Sequence, residues 1–313
     1  MKGSKQNASK IQSPEVRVDR LVCRAILFIN PKKKQVRDLG NEIIKELSSL
    51  KITADTFSFK GKPGFDTEAG YDVAISLGGD GTVLSAARTM SPLGIPIFPV
   101  NFGTFGFIAG VQPHEWKEVF GRWLQLHEAG GKVSMSRRLM LDISVERDGS
   151  EVLNGCCLND VVISATGIAK IINLRVSYSE TGRSSFLKLG QYRSDGLIVS
   201  TPTGSTAYSA AAGGPIVDPE LEALILNPIC PFTLSNRPMV LPANETVLVE
   251  VEEEQRSGVL LTVDGQVTEK LKSGDRIFLR KAPYHCLLIA SGRRGFYQSL
   301  RTKLGWAGGG NNA

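Results

Sequence analysis

The chain has 313 residues, 42% hydrophobic and 22% charged, with 37 Lys and Arg against 31 Asp and Glu for a formal charge of +6. This composition buries one large core or two moderate ones; it excludes a disordered chain, and the 33 Gly follow no three-residue period, which excludes a collagen-like one. The excess charge sits in residues 1–24 and 285–313 around a slightly acidic body, so the basic total says little about a nucleic-acid partner.

Residues 1–20 are polar and read as a flexible basic tail, without the apolar run of a signal peptide. Residues 22–29 (VCRAILFI) read as a buried strand, and 35–50 carry Val36, Leu39, Ile43, Ile44 and Leu47 at helical spacing. A second apolar run, 72–77, ends in Gly-Gly; 81–90 read as a helix, 95–100 as a strand and 114–128 as an amphipathic helix. Strands alternating with helices predict an α/β domain over 21–136, built on a Rossmann-like parallel sheet with ligands at the carboxyl ends of its strands.

The pattern changes near residue 137. Short β-rich runs such as 139–146, 259–267 and 275–281, punctuated by turns at Asp148-Gly149, Thr181-Gly182 and Lys272–Asp275, predict an all-β, sandwich-like domain over 137–283. Two segments, 206–213 and 218–226, read as non-strand interruptions, and 284–313 form a C-terminal segment. No run reaches the ~20 apolar residues of a membrane span. The five Cys are odd in number and form no CxxC, which points to reduced thiols in a cytoplasmic protein.

Four segments could carry chemistry. Gly78-Gly79-Asp80-Gly81-Thr82 follows a strand and opens a helix. Its glycines let a phosphate approach the backbone, and its N–H groups favour anions. Asp80 reads either as a helix cap or as a carboxylate that meets Mg²⁺ or accepts a proton. Asn159-Asp160 interrupts an apolar run, as a surface turn or as a pair gripping ribose or base. Residues 193–216 open from a strand onto Thr201-Pro202-Thr203-Gly204-Ser205-Thr206 and Ala207-Tyr208-Ser209, with hydroxyls and an aromatic face that suit a nucleotide. Asp264-Gly265-Gln266 reads as a hairpin turn.

With these segments in this order, the chain resembles the NAD kinase family over roughly residues 22–300, most specifically in DGLIVSTPTGSTAY and the AGGP after it. GGDGT is shared with diacylglycerol and sphingosine kinases, and VNFGTFGFI (100–108) resembles a further family segment. The resemblance implies transfer of the γ-phosphate of ATP to the 2′-hydroxyl of the adenosine ribose of NAD, with a divalent cation, Mg²⁺, as cofactor. It also implies a chain end that returns to the first domain, and homodimers or homotetramers with NAD sites built partly across subunits. By resemblance Asp80 is the proton acceptor, and Gly78, Gly79, Gly81 and Thr82 shape the phosphate approach. The NAD-binding positions would be Asp80, Gly81, Asn159, Asp160, Lys170, Arg193, Asp195, Thr206, Ala207, Tyr208, Ser209, Ala211 and Gln266. Ser85 stands where many relatives carry a basic residue, so no phosphate contact is carried to it. The alternatives are a lipid or sphingoid kinase sharing GGDGT, a non-catalytic nucleotide-binding module and a nucleic-acid-binding protein. The expected partners are NAD and ATP, with no nucleic acid and no membrane.

Overall fold

The computed structural model describes residues 21–30, 33–58, 70–103, 106–108, 110–131, 135–167, 170–180, 185–233, 235–290 and 292–303. The expected tail at 1–20, the Thr181-Gly182 turn and the chain end at 304–313 lie outside them. Three apolar runs become β1 (Arg24–Ile29), β3 (Val73–Gly78) and β4 (Ile97–Asn101), parallel neighbours in that order. Their near-continuous hydrophobicity follows from burial on both faces. One face meets Val36, Ile43 and Leu47 of α1 (Lys34–Ser49) and Trp116, Phe120 and Trp123 of α3 (Trp116–Glu128). The other meets Val83, Ala86, Ala87 and Met90 of α2 (Asp80–Met90). Beyond β1 lies a parallel strand that the apolar pattern does not reveal, β2 (Thr53–Ser58, TADTFS). It forms the sheet edge and is largely solvent-exposed, so it needs few apolar residues.

The second half is antiparallel. One layer runs β12 (Met239–Pro242), β11 (Ala223–Ile229), β10 (Gly196–Ser200), β7 (Asp160–Ala165), β14 (Val259–Val263) and β15 (Val267–Leu271). The facing layer contains β9 (Leu187–Ser194), β8 (Ile172–Ser179), β13 (Thr246–Val251) and β16 (Arg276–Ile289), with β5 (Met135–Arg147) and β6 (Ser150–Cys157) beyond. Alternate residues such as Ile143, Val161, Ile163, Leu174, Val199, Leu224 and Leu261 interdigitate between the layers, as a sandwich requires. The interruption expected at 206–213 is a 3₁₀ turn, Thr203–Thr206, and a single helical turn, α4 (Tyr208–Ala211). The one expected at 218–226 ends earlier than its sequence suggests. Ala223–Ile229 is the buried strand β11, paired on both sides, with Leu224 and Leu226 in the sandwich core.

β16 joins the halves. Its first part pairs antiparallel with β13, and its end lies beside β4, Leu288 opposite Ile97, in parallel. The end of β16 thus returns to the α/β half, and residue 283 falls inside a strand. Among the described residues the parallel strands and one sandwich layer form a single ten-stranded sheet.

Candidate active site

The Gly-Gly turn at the carboxyl end of β3 starts α2. Gly78 closes β3 opposite Asn101 of β4, and its carbonyl accepts the Phe102 N–H at 2.8 Å. Thr82 packs on the bare Cα of Gly78, where any Cβ would overlap the hydroxyl, so the helix begins tight against the strand. Asp80 is the first helical residue and is half-buried. Its carboxylate accepts the N–H groups of Phe107 at 2.8 Å and Ile108 at 3.3 Å, which fix its orientation.

A second cluster forms where β7 and β10 pair, Ser200 opposite Asp160. The Asn159 carbonyl accepts the Thr201 N–H at 2.8 Å and the Ser200 hydroxyl at 3.1 Å. Gly204 passes so close to that carbonyl that a Cβ could not fit. Asn159 itself is buried, and its Oδ1 has no hydrogen-bond partner among the described residues; Thr203 Oγ1 is in the same state. A buried polar atom without a partner costs about 1–3 kcal/mol. Since residues two apart share a strand face, Asp160, Val162 and Ser164 project opposite to the core residues Val161 and Ile163, beside Thr262 of β14.

The third cluster is the turn between β14 and β15. Asp264 and Gly265 have φ of 49° and 64°, as a tight hairpin turn demands. The buried Asp264 carboxylate accepts the N–H groups of Asn159 at 2.8 Å, Leu158 at 3.3 Å and Asp160 at 3.4 Å, and pairs with Arg88 at 2.8 Å. Gln266 donates to the Gly81 carbonyl at 2.8 Å and accepts from Arg88. Burial and the nearby Asp264 charge push the Asp160 carboxyl up to about 7. Burial also raises Asp264, opposed by Arg88 and the N–H groups of Asn159 and Leu158. Asp264 holds the cation and the donors, so the negative charge rests there and Asp160 keeps its proton to near neutrality.

Asn159, Asp160, Ala207, Tyr208, Asp264 and Gly265 line one cavity of about 370 Å³. Tyr208 stands half-exposed at this cavity. Gln266 ties the cavity to the Gly-Gly turn through Gly81. Thr206 is half-buried with its hydroxyl on the Thr203 carbonyl, Ser209 is buried against Asn227, and Ala211 is exposed. Of the other expected ligand residues, Lys170, Arg193 and Asp195 lie outside this cavity as well. Lys170 is exposed on the loop between β7 and β8, and Asp195 is half-buried between β9 and β10. Arg193 lies over the Phe232 ring and lines a separate cleft of about 840 Å³ with Arg175 and Glu252. Arg88 escapes a reading of the sequence, and Asp264 is legible there only as part of a hairpin turn, not as a buried ion-pair partner. An Asp-Gly pair is the usual hairpin turn, and nothing local marks its side chain as buried.

Two family models match the chain: the ATP-NAD kinase N-terminal domain over residues 5–129 and the ATP-NAD kinase C-terminal domain over 158–291. An NAD kinase of Treponema denticola is 40% identical over 288 residues, covering 91% of this chain and 97% of that relative.

The chain belongs to the NAD kinase family.

An NAD kinase of Geobacter sulfurreducens is 43% identical over 235 residues, 75% of this chain and 78% of the relative. Two solved structures share the fold. Yeast NADH kinase complexed with NADH superposes with a TM-score of 0.79 at 24% identity, covering 94% of this chain and 91% of that one. An NAD kinase from Archaeoglobus fulgidus in complex with ATP superposes at 0.66 and 24% identity, covering 89% and 98%. The residues that carry the NAD kinase resemblance, GGDGT, Asn159-Asp160, the 193–216 block and Gln266, are thus joined through α2, the cavity and the hairpin.

Proposed function

We propose that this chain is an ATP-dependent NAD kinase, which transfers the γ-phosphoryl group of ATP to the 2′-hydroxyl of the adenosine ribose of NAD. Membership in the family and the NAD kinase relatives at 40% and 43% identity support the reading. The observation that carries it is Asp80, at a strand's carboxyl end and a helix N-terminus, its carboxylate oriented by the Phe107 and Ile108 N–H groups. A carboxylate has about four lone-pair sites, so such bonds orient it without abolishing its basicity. The ribose oxygen attacks the γ-phosphorus as its proton passes to Asp80. The bond between that phosphorus and the bridging oxygen breaks, and its electron pair leaves on ADP. Little covalent help is needed beyond positioning and charge stabilisation. In this reading Gly78, Gly79, Gly81 and Thr82 shape the phosphate approach at the start of α2, while Asn159, Asp160, Ala207 and Tyr208 hold NAD in the cavity they line.

Mg²⁺ is the cofactor in this reading. No three His, Cys, Asp or Glu side chains form a metal cage among the described residues. An ion that arrives on the nucleotide phosphates needs few protein ligands and would neutralise phosphate charge there, while Asp80 keeps the role of proton acceptor. The family resemblance supports a homodimer or homotetramer with NAD sites built partly across subunits, and Lys170, Arg193 and Asp195 are the ligand positions that such sharing would bring in. Five free cysteines support a cytoplasmic setting, and no helix among the described residues is long and apolar enough to cross a membrane.

The test is incubation with NAD, ATP and Mg²⁺, reading NADP with an NADP-specific dehydrogenase. Folded protein that makes none sinks the reading and leaves a non-catalytic nucleotide-binding module or a lipid kinase. Asp80→Asn should lose at least ~10² in kcat, the low end of general-base contributions, with its Tm close to wild type. Near-normal turnover of the folded variant would remove Asp80 as the base.

A further inference from the structure

A continuous chain of polar contacts crosses from the α/β half to the β half, and Arg88 is its centre. Gly81 and Arg88 lie seven residues apart on α2, hence on one face of the helix. The tip of the β14–β15 hairpin lies along that face. Gln266 Nε2 donates to the Gly81 carbonyl at 2.8 Å, and its Oε1 accepts from Arg88 Nη2. Arg88 Nη1 donates to Asp264 Oδ2 at 2.8 Å. Asp264 in turn receives the N–H groups of Leu158, Asn159 and Asp160, which carry the cavity's Asn159 and Asp160.

Arg88 does not line that cavity; it lines a different one, of about 610 Å³, with Asp142, Cys156 and Tyr284. The side-chain route from Arg88 to the nucleotide cavity runs through Gln266 and Asp264. Resting on the NAD kinase reading, we infer that Arg88 is the positioning residue that locks the Gly81 turn to the NAD-holding backbone at 158–160, by bridging Gln266 and Asp264.

The side-chain chemistry explains why arginine is needed. A planar guanidinium presents its N–H groups in a fixed fork and serves two acceptors at once, whereas an ammonium on a flexible stem does not reproduce that fork. The pair is well shielded, with Arg88 14% exposed and Asp264 fully buried. Losing the cation would strand a buried charge and free the carboxylate to leave its three N–H partners. Arg88→Lys keeps the charge and gives up the bridge to Gln266, so it is the more informative probe.

The experiment is a double-mutant cycle of Arg88→Lys, Gln266→Ala and the double variant. NAD affinity is measured by titration calorimetry, KM and kcat in the NADP assay, and Tm by calorimetric scan. Each single variant should weaken NAD binding by about tenfold and raise KM for NAD in step, and the double should be no worse than the weaker single, since neighbours in one network are non-additive. A residue that only stabilises the fold would lower Tm and leave KM for NAD unchanged. A folded Arg88→Lys with wild-type affinity and KM, or effects that multiply in the double, overturns the inference. Wild-type protein that binds NAD but makes no NADP overturns the kinase reading alone, because the calorimetric cycle still reads Arg88. Wild-type protein that does not bind NAD overturns both.

Discussion

Two carboxyls in one shielded corner must divide the charge. Asp264 takes it, because it holds Arg88 and three N–H donors, and Asp160 is left protonated to about 7 by burial and by Asp264. A folded-state value raised above the ordinary 3.8 means that the protein is stabilised while Asp160 is protonated. That contribution is full below about pH 4 and is lost as pH rises through 7. Each tenfold change in proton affinity is worth about 1.4 kcal/mol, so the contribution is on the order of a few kcal/mol. Asp160→Asn should therefore have a higher Tm than wild type at pH 8, by several degrees at about 2–4 °C per kcal/mol, and the advantage should shrink towards pH 5. A Tm difference that is the same at both pH values would show that Asp160 ionises freely in the folded protein. The same substitution should weaken NAD binding, since a residue that destabilises the apo fold at neutral pH has its use in the site.

At the scale of elements, the site is made by backbone passing where side chains cannot. The 3₁₀ turn after β10 runs against the Asn159 carbonyl with Gly204 at the contact, and the Gly204 N–H is held by Thr201 Oγ1 at 3.2 Å. Gly204→Ala must push the turn away, at a cost of about 1–3 kcal/mol for overpacking, and it moves Asn159 and Tyr208 relative to each other. It should lower Tm and weaken NAD binding together; a variant with wild-type values for both would show that the turn has room to shift. The parallel strands β1, β3 and β4 were legible because burial on both faces makes each a nearly continuous apolar run. β2 was not, since an edge strand needs few apolar residues, and β11 was not, because its first residues follow the polar stretch 218–222 without a break. The Gly-Gly turn and the 193–216 block were legible because each is local. The bridge from Arg88 to Asp264 and Gln266 was not, because its members lie 176 and 178 residues apart and meet only in the fold.

At the scale of the whole molecule, two compositional domains share one sheet. β16 pairs with β13 in the sandwich and reaches β4 in the parallel half, so neither half ends where its composition does. The proposed nucleotide site depends on the same union: Asp80 and Gly81 come from one half, Asp264 and Gln266 from the other, and the Arg88 contacts span them. Separate domains joined by a linker would melt separately, and a ligand held by one would stabilise only that one. Here a strand through both cores predicts a single calorimetric transition in which the measured and van't Hoff enthalpies agree. NAD binds the folded state alone, so at 100 times its Kd it should raise the Tm of that transition by the equivalent of about 2.7 kcal/mol. Two resolved transitions, with NAD moving only the one assigned to the β half, would mean that β16 bridges the halves without coupling them.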